Sequence, residues 1–175
     1  MGTISKAKFD QDIEELVRKT ADFDISYQWH IKEHRNGQFC ANNSVVERNG
    51  ETIMRTFHIT YSEIYNVPIL WFIFSRQTGA LLDIDEILEM IPVDTRKRLM
   101  ADSLTSISQR EHPFFNLFFY HIHPCKTAAV MKNVIYDNYI ISWLSIFASL
   151  LHLLPLPNEL FTKNDSSLIR VQNSE

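Results

Sequence analysis

The chain has 175 residues and a formal net charge of −4, with 45% hydrophobic and 22% charged residues. These proportions are those of a globular protein with a hydrophobic core, and the length suits one domain. The 17 Lys and Arg residues are scattered rather than clustered, which argues against nucleic-acid binding. There are only two cysteines, Cys40 and Cys125. Two are too few for a disulfide framework, so we expect free thiols in a reducing, cytoplasmic compartment.

The first half of the chain predicts one helix followed by antiparallel strands. Apolar residues recur at helical spacing from Phe9 to Val17, opposite charged ones, which predicts an amphipathic opening helix. The Asn36-Gly37 and Asn49-Gly50 pairs mark turns of the hairpin kind. The predicted strands are residues 26–34, 44–48, 52–61 and 69–74, the last a continuous apolar run typical of a central strand covered on both faces.

The second half predicts mainly helices. A short helix over 84–91 ends at Pro92, a mixed and partly helical segment covers 94–104, and a long helix covers 137–153. The apolar segment 114–121 does not reveal whether it is extended. The most apolar stretch, residues 139–154, is interrupted by serines and is shorter than the roughly 20 residues needed to cross a bilayer. We therefore predict a buried core helix there.

This order of elements predicts an α+β fold with a central antiparallel meander sheet, an N-terminal helix and a long C-terminal helix packed against one face. We expect a single domain over 1–160 and a polar, flexible tail over 161–175. The sequence has four glycines and no phosphate-binding or dinucleotide-binding motif. We expect no cofactor.

The densest group of reactive side chains lies at residues 121–127, His-Ile-His-Pro-Cys-Lys-Thr. A thiol reacts as the thiolate, and cationic neighbours or a helix start favour that form. Cys125 follows two histidines and precedes a lysine and a helix predicted to begin at Thr127. Pro124 fixes its own φ and restricts His123, so the backbone entering the cysteine is stiff. We interpret Cys125 as a nucleophile rather than as a small apolar residue at a strand end.

A zinc site is the alternative interpretation of the same segment. His121, His123 and Cys125 alternate, so on an ideal strand all three would face one way and could bind a metal. No second cysteine is nearby and Pro124 disturbs the alternation, so we expect no metal. Cys40 has little around it to activate a thiol and is predicted to be structural. We expect the remaining histidines to be exposed strand or capping residues: His30, His34, His58, His112 and His152.

Two further segments carry a resemblance to a known family. Residues 60–71 read T-Y-x-x-x-Y-x-x-P-x-L-W, and His112-Pro113 is later followed by His123-Pro124-Cys125-Lys126-Thr127. Both resemble the ubiquitin-conjugating-like (E2-like) enzymes of autophagy, and residues 138–146 are similar to the closing helix of one branch. The resemblance covers roughly residues 52–155. It implies an E2-like fold and a Cys125 that receives a ubiquitin-like modifier as a thioester.

The family resemblance also implies partners. One branch serves a lipid-linked modifier and carries a long acidic insertion and a handle region, for which this chain has no room. The other branch receives the modifier autophagy-related protein twelve from the activating enzyme, autophagy-related protein seven. It joins that modifier to a lysine of autophagy-related protein five. The length favours the second branch. The expected location is the cytoplasm, and the resemblance also implies recruitment to pre-autophagosomal sites.

The resemblance leaves the stabiliser of the oxyanion open. Ordinary ubiquitin-conjugating enzymes use the Asn of an H-P-N motif, whereas here His123-Pro124 runs directly into Cys125. By resemblance, Tyr65 and His123 shape the surroundings of the cysteine, and Asn66 is a weaker candidate. The alternative for Tyr65 is a core tyrosine with its hydroxyl on a backbone group.

Overall fold

The computed structural model describes residues 2–101, 106–151, 153–154 and 156–161. Helix α1, Lys6–Thr20, begins after Ser5, whose Oγ accepts a hydrogen bond from the Lys8 amide at 3.1 Å. In its apolar stripe Phe9, Ile13 and Leu16 are completely buried, and Val17 is half-buried. The predicted amphipathic helix is confirmed.

The strands form one antiparallel sheet of six in the order β1-β2-β3-β4-β6-β5. The first four follow one another as a meander, as predicted. In this sheet β4 and β6 share two residue pairs, whereas β3 and β4 share ten. The strands are β1 His30–His34, β2 Gly37–Arg48, β3 Glu51–Ser62, β4 Val67–Arg76, β5 Ile107–Glu111 and β6 Phe118–Ile122.

The hairpin between β2 and β3 turns at the predicted Asn-Gly pair. Asn49 and Gly50 have φ values of 52° and 77°, and Arg48 pairs with Glu51. Glycine and asparagine tolerate such positive φ values better than other residues do, which is why this pair specifies the turn. The two positions therefore fix the register between β2 and β3.

The first predicted strand is shorter than the sequence indicates. Residues 25–27 form a 3-10 turn, because the Asp24 carboxylate accepts the amide of Ser26 at 3.0 Å. The Asn42 side-chain amide then donates to the carbonyl groups of Ser26 and Gln28. These local bonds compete with strand pairing, and β1 starts only at His30.

The helices cover one face of the sheet. Helix α2, Ile84–Leu88, begins with a capping box in which Asp83 and Glu86 bond each other's backbone. Helix α3 spans Val93–Ala101, helix α4 spans Thr127–Met131 and helix α5 spans Tyr139–Leu151. The long predicted helix is confirmed. The short one ends at Leu88 rather than at Pro92, because the amides of Met90 and Ile91 bond carbonyl groups three residues back and form turns. The end of the predicted mixed segment and the tail from 162 onward lie outside the described residues.

The sequence did not predict β5. Its residues, Ile107–Glu111, are mainly polar, and within the described part of the chain they pair with β6 alone, as suits an edge strand. The apolar segment 114–121 is divided. Residues 118–121 belong to β6, and the residues before them form a loop that folds back over the outer face of the sheet. Among the described helices, none is long and apolar enough to cross a bilayer.

Candidate active site

Cys125 lies just beyond the end of β6. That strand ends at Ile122, and a 3-10 turn, Pro124–Lys126, leads into the short helix α4, Thr127–Met131. Pro124 is buried and Cys125 is exposed. The helix start at Thr127 is confirmed. The thiol therefore stands on a stiff turn with its sulfur accessible from solvent.

His123 contacts the cysteine through the backbone. Its Nδ1 atom accepts a hydrogen bond from the Cys125 amide at 3.2 Å. The φ and ψ of His123, −66° and 126°, are the extended values that a following proline imposes. Because Nδ1 accepts, the neutral ring carries its proton on Nε2. The outer edge of the imidazole is therefore a hydrogen-bond donor.

Tyr65 packs against His123 at the end of the sheet where β4 begins and β6 ends. It belongs to the turn 63–66 between β3 and β4, and the two ring centroids are 5.9 Å apart with the planes at 73°. The Tyr65 side chain remains 38% exposed. The structure thus brings together three residues that the sequence predicted for the site: Cys125, His123 and Tyr65.

Asn66 holds the turn itself. It has a φ of 51°, a left-handed conformation in which asparagine is enriched. Its Oδ1 accepts from the Tyr61 hydroxyl at 2.9 Å, and its amide donates to the Ser62 carbonyl. These bonds give Asn66 a structural reason to be asparagine. They leave its side-chain oxygen occupied.

His121 lies beside His123, with ring centroids 6.2 Å apart, but its ring is buried and bonded elsewhere. Its Nδ1 donates to the Ser108 carbonyl at 3.0 Å and its ring stacks on Trp71 at 4.8 Å, below the surface. Burial lowers the pKa of this imidazole. Since β6 ends before His123, the alternation on which the zinc interpretation depended is broken. Throughout the residues that the structure describes, no three His, Cys, Asp or Glu side chains are grouped to hold a metal.

Two other histidines correct the sequence prediction. His58 and His112 were expected to be exposed, but both are buried, at 7% and 2% exposure. The loop after β5 carries His112 onto the outer face of the sheet, where Phe39 and Phe119 also pack. Desolvation lowers the pKa of His58 to about 4 and that of His112 to about 3. His30 and His34 are exposed as predicted, and His152 lies outside the described residues.

Cys40 lies in β2 within the core and is completely buried. Burial raises the pKa of its thiol well above the usual range. The two cysteines therefore differ sharply in exposure, as predicted. Only Cys125 presents its sulfur to a reaction partner.

An antiparallel sheet with helices on one face, and an exposed cysteine on the turn after strand β6, define a cysteine-bearing α+β domain. Residues 5–157 match the family described as "Autophagocytosis associated protein, active-site domain". The chain belongs to this family.

Individual relatives carry more specific names. The chain is 36% identical over 124 residues to the human protein named ubiquitin-like-conjugating enzyme ATG10, a match covering 66% of this chain and 56% of that protein. It is 35% identical over 95 residues to autophagy-related protein 3 of Dictyostelium discoideum, covering 51% of this chain and 25% of that protein. The match thus spans just over half of the human relative.

The fold agrees with a solved structure. The structure described as "Crystal structure of Autophagic E2, Atg10" superimposes with a TM-score of 0.57 at 17% identity, covering 86% of this chain and 98% of that one. At this identity the likeness concerns the fold. The predicted E2-like α+β architecture is confirmed.

Proposed function

We propose that the protein is an E2-like conjugating enzyme of autophagy that carries a ubiquitin-like modifier on Cys125. The observation that carries the proposal is the exposed Cys125 thiol, held on the rigid turn after Pro124 by the bond between its amide and His123. The family's description as an active-site domain and the name of the human relative support it. We place the enzyme in the cytoplasm, with recruitment to pre-autophagosomal sites.

The first step is thioester exchange. The Cys125 thiolate attacks the carbonyl carbon of the modifier's C-terminal glycine, which is held as a thioester on the activating enzyme. A new carbon–sulfur bond forms at Cys125, and the cysteine of the activating enzyme leaves as thiolate. The energy therefore comes from the activating enzyme, and this chain needs no nucleotide of its own. We propose autophagy-related protein twelve as the modifier and autophagy-related protein seven as the activating enzyme.

The second step is aminolysis. A lysine amine of the acceptor, which we propose is autophagy-related protein five, attacks the thioester carbonyl through a tetrahedral oxyanion. The isopeptide bond forms, the Cys125 thiolate leaves, and the proton lost by the amine passes to water. His123 accepts the Cys125 amide through Nδ1, which leaves its Nε2–H as a donor, and Tyr65 packs against the same ring. We propose that these two residues support the oxyanion in place of the missing asparagine.

Asn66 is the weaker candidate for that role. Its side-chain oxygen is bonded to Tyr61 and its backbone occupies a left-handed turn. These contacts favour a contribution through the position of Tyr65, the preceding residue, rather than a direct one. Replacing Asn66 with Gly keeps the turn and removes the amide, so it separates the two possibilities.

The test is a loading reaction with activating enzyme, modifier and ATP, separated on a non-reducing gel. Wild-type protein is expected to form an adduct that thiol reductants cleave. Cys125→Ala should form none. Cys125→Ser, if it is loaded, should give an oxyester that survives reductant. Cys40→Ala is the matched control and should load like wild type. A reductant-sensitive adduct on the Cys125→Ala protein would overturn the proposal.

The acceptor decides between the two branches of the family. The second candidate function is that of the conjugating enzyme for the lipid-linked modifier. Similarity to autophagy-related protein 3 of Dictyostelium discoideum supports it. Discharge of the loaded enzyme to a protein lysine, but not to an amino-lipid in vesicles, is expected for the first candidate. The opposite pattern would establish the second.

A further inference from the structure

The residues before α1 connect the two sides of the candidate active site. We define residues 2–4 as the N-terminal strap. One side of the site is the turn 63–66, which carries Tyr65, and the other is α4, which begins two residues after Cys125. The strap is distant from both in sequence, and its own residues do not indicate a role in the site.

At one end the strap is fixed to α4. Gly2 is buried, and a Cβ added to it would lie 2.8 Å from the Lys132 amide nitrogen and closer still to the Ala128 carbonyl oxygen. Real Cβ atoms do not approach backbone atoms so closely, so only glycine lets the chain pass here. The Tyr139 hydroxyl also donates to the Gly2 carbonyl at 2.7 Å, from the start of α5.

At the other end the strap is fixed to the turn. The Ile4 amide donates to the Asn66 carbonyl at 2.9 Å. The Tyr61 hydroxyl lies 3.0 Å from the Ile4 carbonyl and also contacts Asn66. The Ile4 side chain is in the core at 7% exposure. These contacts engage the residue that directly follows Tyr65.

We infer that the N-terminal strap positions the two sides of the site relative to each other, with Gly2 as a positioning residue for the contact between Tyr65 and His123. This inference rests on the proposed function. Three residues span from α4 to the turn, so a displacement at Gly2 must move one of them. A shift of about 1 Å in the position of a supporting group is enough to slow a reaction by an order of magnitude or more.

The inference predicts an uneven effect on the two steps. Loading requires mainly an exposed thiol, whereas discharge requires Tyr65 and His123 in place. Gly2→Ala is therefore expected to slow discharge on the order of tenfold while loading changes less than about twofold. Tyr139→Phe loosens the strap without adding atoms and should act in the same direction. Thr3→Ala removes atoms from the same segment and should leave both rates unchanged.

The test combines rates with a spectroscopic readout on the full-length protein. Single-turnover loading and discharge are measured for each variant, together with the NMR resonances of the Tyr65 and His123 rings. Both ring signals should move in Gly2→Ala and Tyr139→Phe and stay in place in Thr3→Ala. In a Tyr65→Ala background, the effect of Gly2→Ala on discharge should largely disappear, because the group it positions is gone.

Two results would overturn the inference: unmoved ring resonances in both strap variants, or a discharge effect of Gly2→Ala that persists in full without the Tyr65 ring. Should Gly2→Ala not fold, Tyr139→Phe alone supplies both readouts. A wild-type protein that fails to load would defeat the proposed function. The ring resonances would still decide whether the strap sets the Tyr65–His123 contact, so the two failures are distinguishable.

Discussion

The imidazoles of His58 and His112 share a hydrogen bond of 3.2 Å between Nδ1 of the first and Nε2 of the second. The amide of Phe114 donates to Nδ1 of His112, so the His112 proton lies on Nε2 and is donated to His58. Both Nδ1 atoms therefore act as acceptors. Protonating either ring would set two donors against each other, which adds to the cost of burying the charge.

The pH dependence of stability follows from this pair. Both histidines have a folded-state pKa below the unfolded value of about 6.5. The unfolded chain therefore binds more protons, and stability present above pH of about 6.5 is lost as the pH falls toward about 4 for His58 and about 3 for His112. We expect a loss on the order of a few kcal/mol in the free energy of unfolding, measured by urea titration at each pH.

A variant isolates the pair. His112→Gln should flatten the pH dependence between pH of about 6.5 and 4, because one of the two depressed groups is gone. His30→Gln, at an exposed position, should retain the slope of the wild type. An unchanged slope in His112→Gln would mean that other groups cause the acid sensitivity.

The proposed oxyanion support predicts a difference between two rates. Tyr65→Phe and His123→Ala should each slow transfer to the acceptor lysine on the order of 10²-fold, and slow the loading of Cys125 less. The reason is that the amine attacks and the oxyanion is stabilised in the transfer step. Single-turnover loading and discharge measure the two rates separately. Tyr27→Phe, in the 3-10 turn before β1, is the control and should change neither rate. Equal slowing of both steps by Tyr65→Phe or His123→Ala would contradict the assignment.

The two thiols should differ in their reaction with iodoacetamide. Cys125 is exposed, whereas Cys40 is fully buried and its thiol pKa is raised by burial. Native protein is therefore expected to incorporate one label, identified at Cys125 by mass spectrometry, and the second only in denaturant. Comparable labelling of both cysteines in native protein would show that the core around β2 opens readily.

The joint between α1 and α5 depends on a buried carboxylate. Asp12 accepts the Tyr139 amide at 2.9 Å and the Lys8 ammonium at 2.6 Å, and it is completely buried. Asp12→Ala leaves both donors without this partner and should cost about 2–4 kcal/mol in the free energy of unfolding. Asp10→Ala removes a surface ion pair with Lys6 and should cost less than about 1 kcal/mol. Chemical denaturation of both variants provides the comparison.

Local signals account for what the sequence predicted. The Asn49-Gly50 turn and the Pro124-Cys125 turn each depend on the conformational limits of one or two residues. The apolar run of β4 indicated a central strand because a sheet buried on both faces needs such a run. Within the site, Cys125 stood out through its immediate neighbours.

What the sequence did not predict depends on contacts between distant residues. His58 and His112 are 54 positions apart, and their burial arises only when the loop after β5 folds over the sheet. Strand β5 has no strong apolar pattern, since only one of its edges is paired. The proposed role of Gly2 depends on its close approach to the Ala128 carbonyl group, which no pattern near the N-terminus could reveal.

The short seam between β4 and β6, limited to the pairs of Trp71 with His121 and Phe72 with Tyr120, divides the sheet into units of unequal cooperativity. Ladders of nine and ten pairs hold β2, β3 and β4 of the meander together, while the β5–β6 hairpin is joined to β4 by two pairs and by side-chain packing. Sub-global opening of the hairpin should therefore need less free energy than global unfolding. Since Cys125 follows β6 by three residues, we expect the stiff turn that carries the thiol to open together with this hairpin while the meander stays intact.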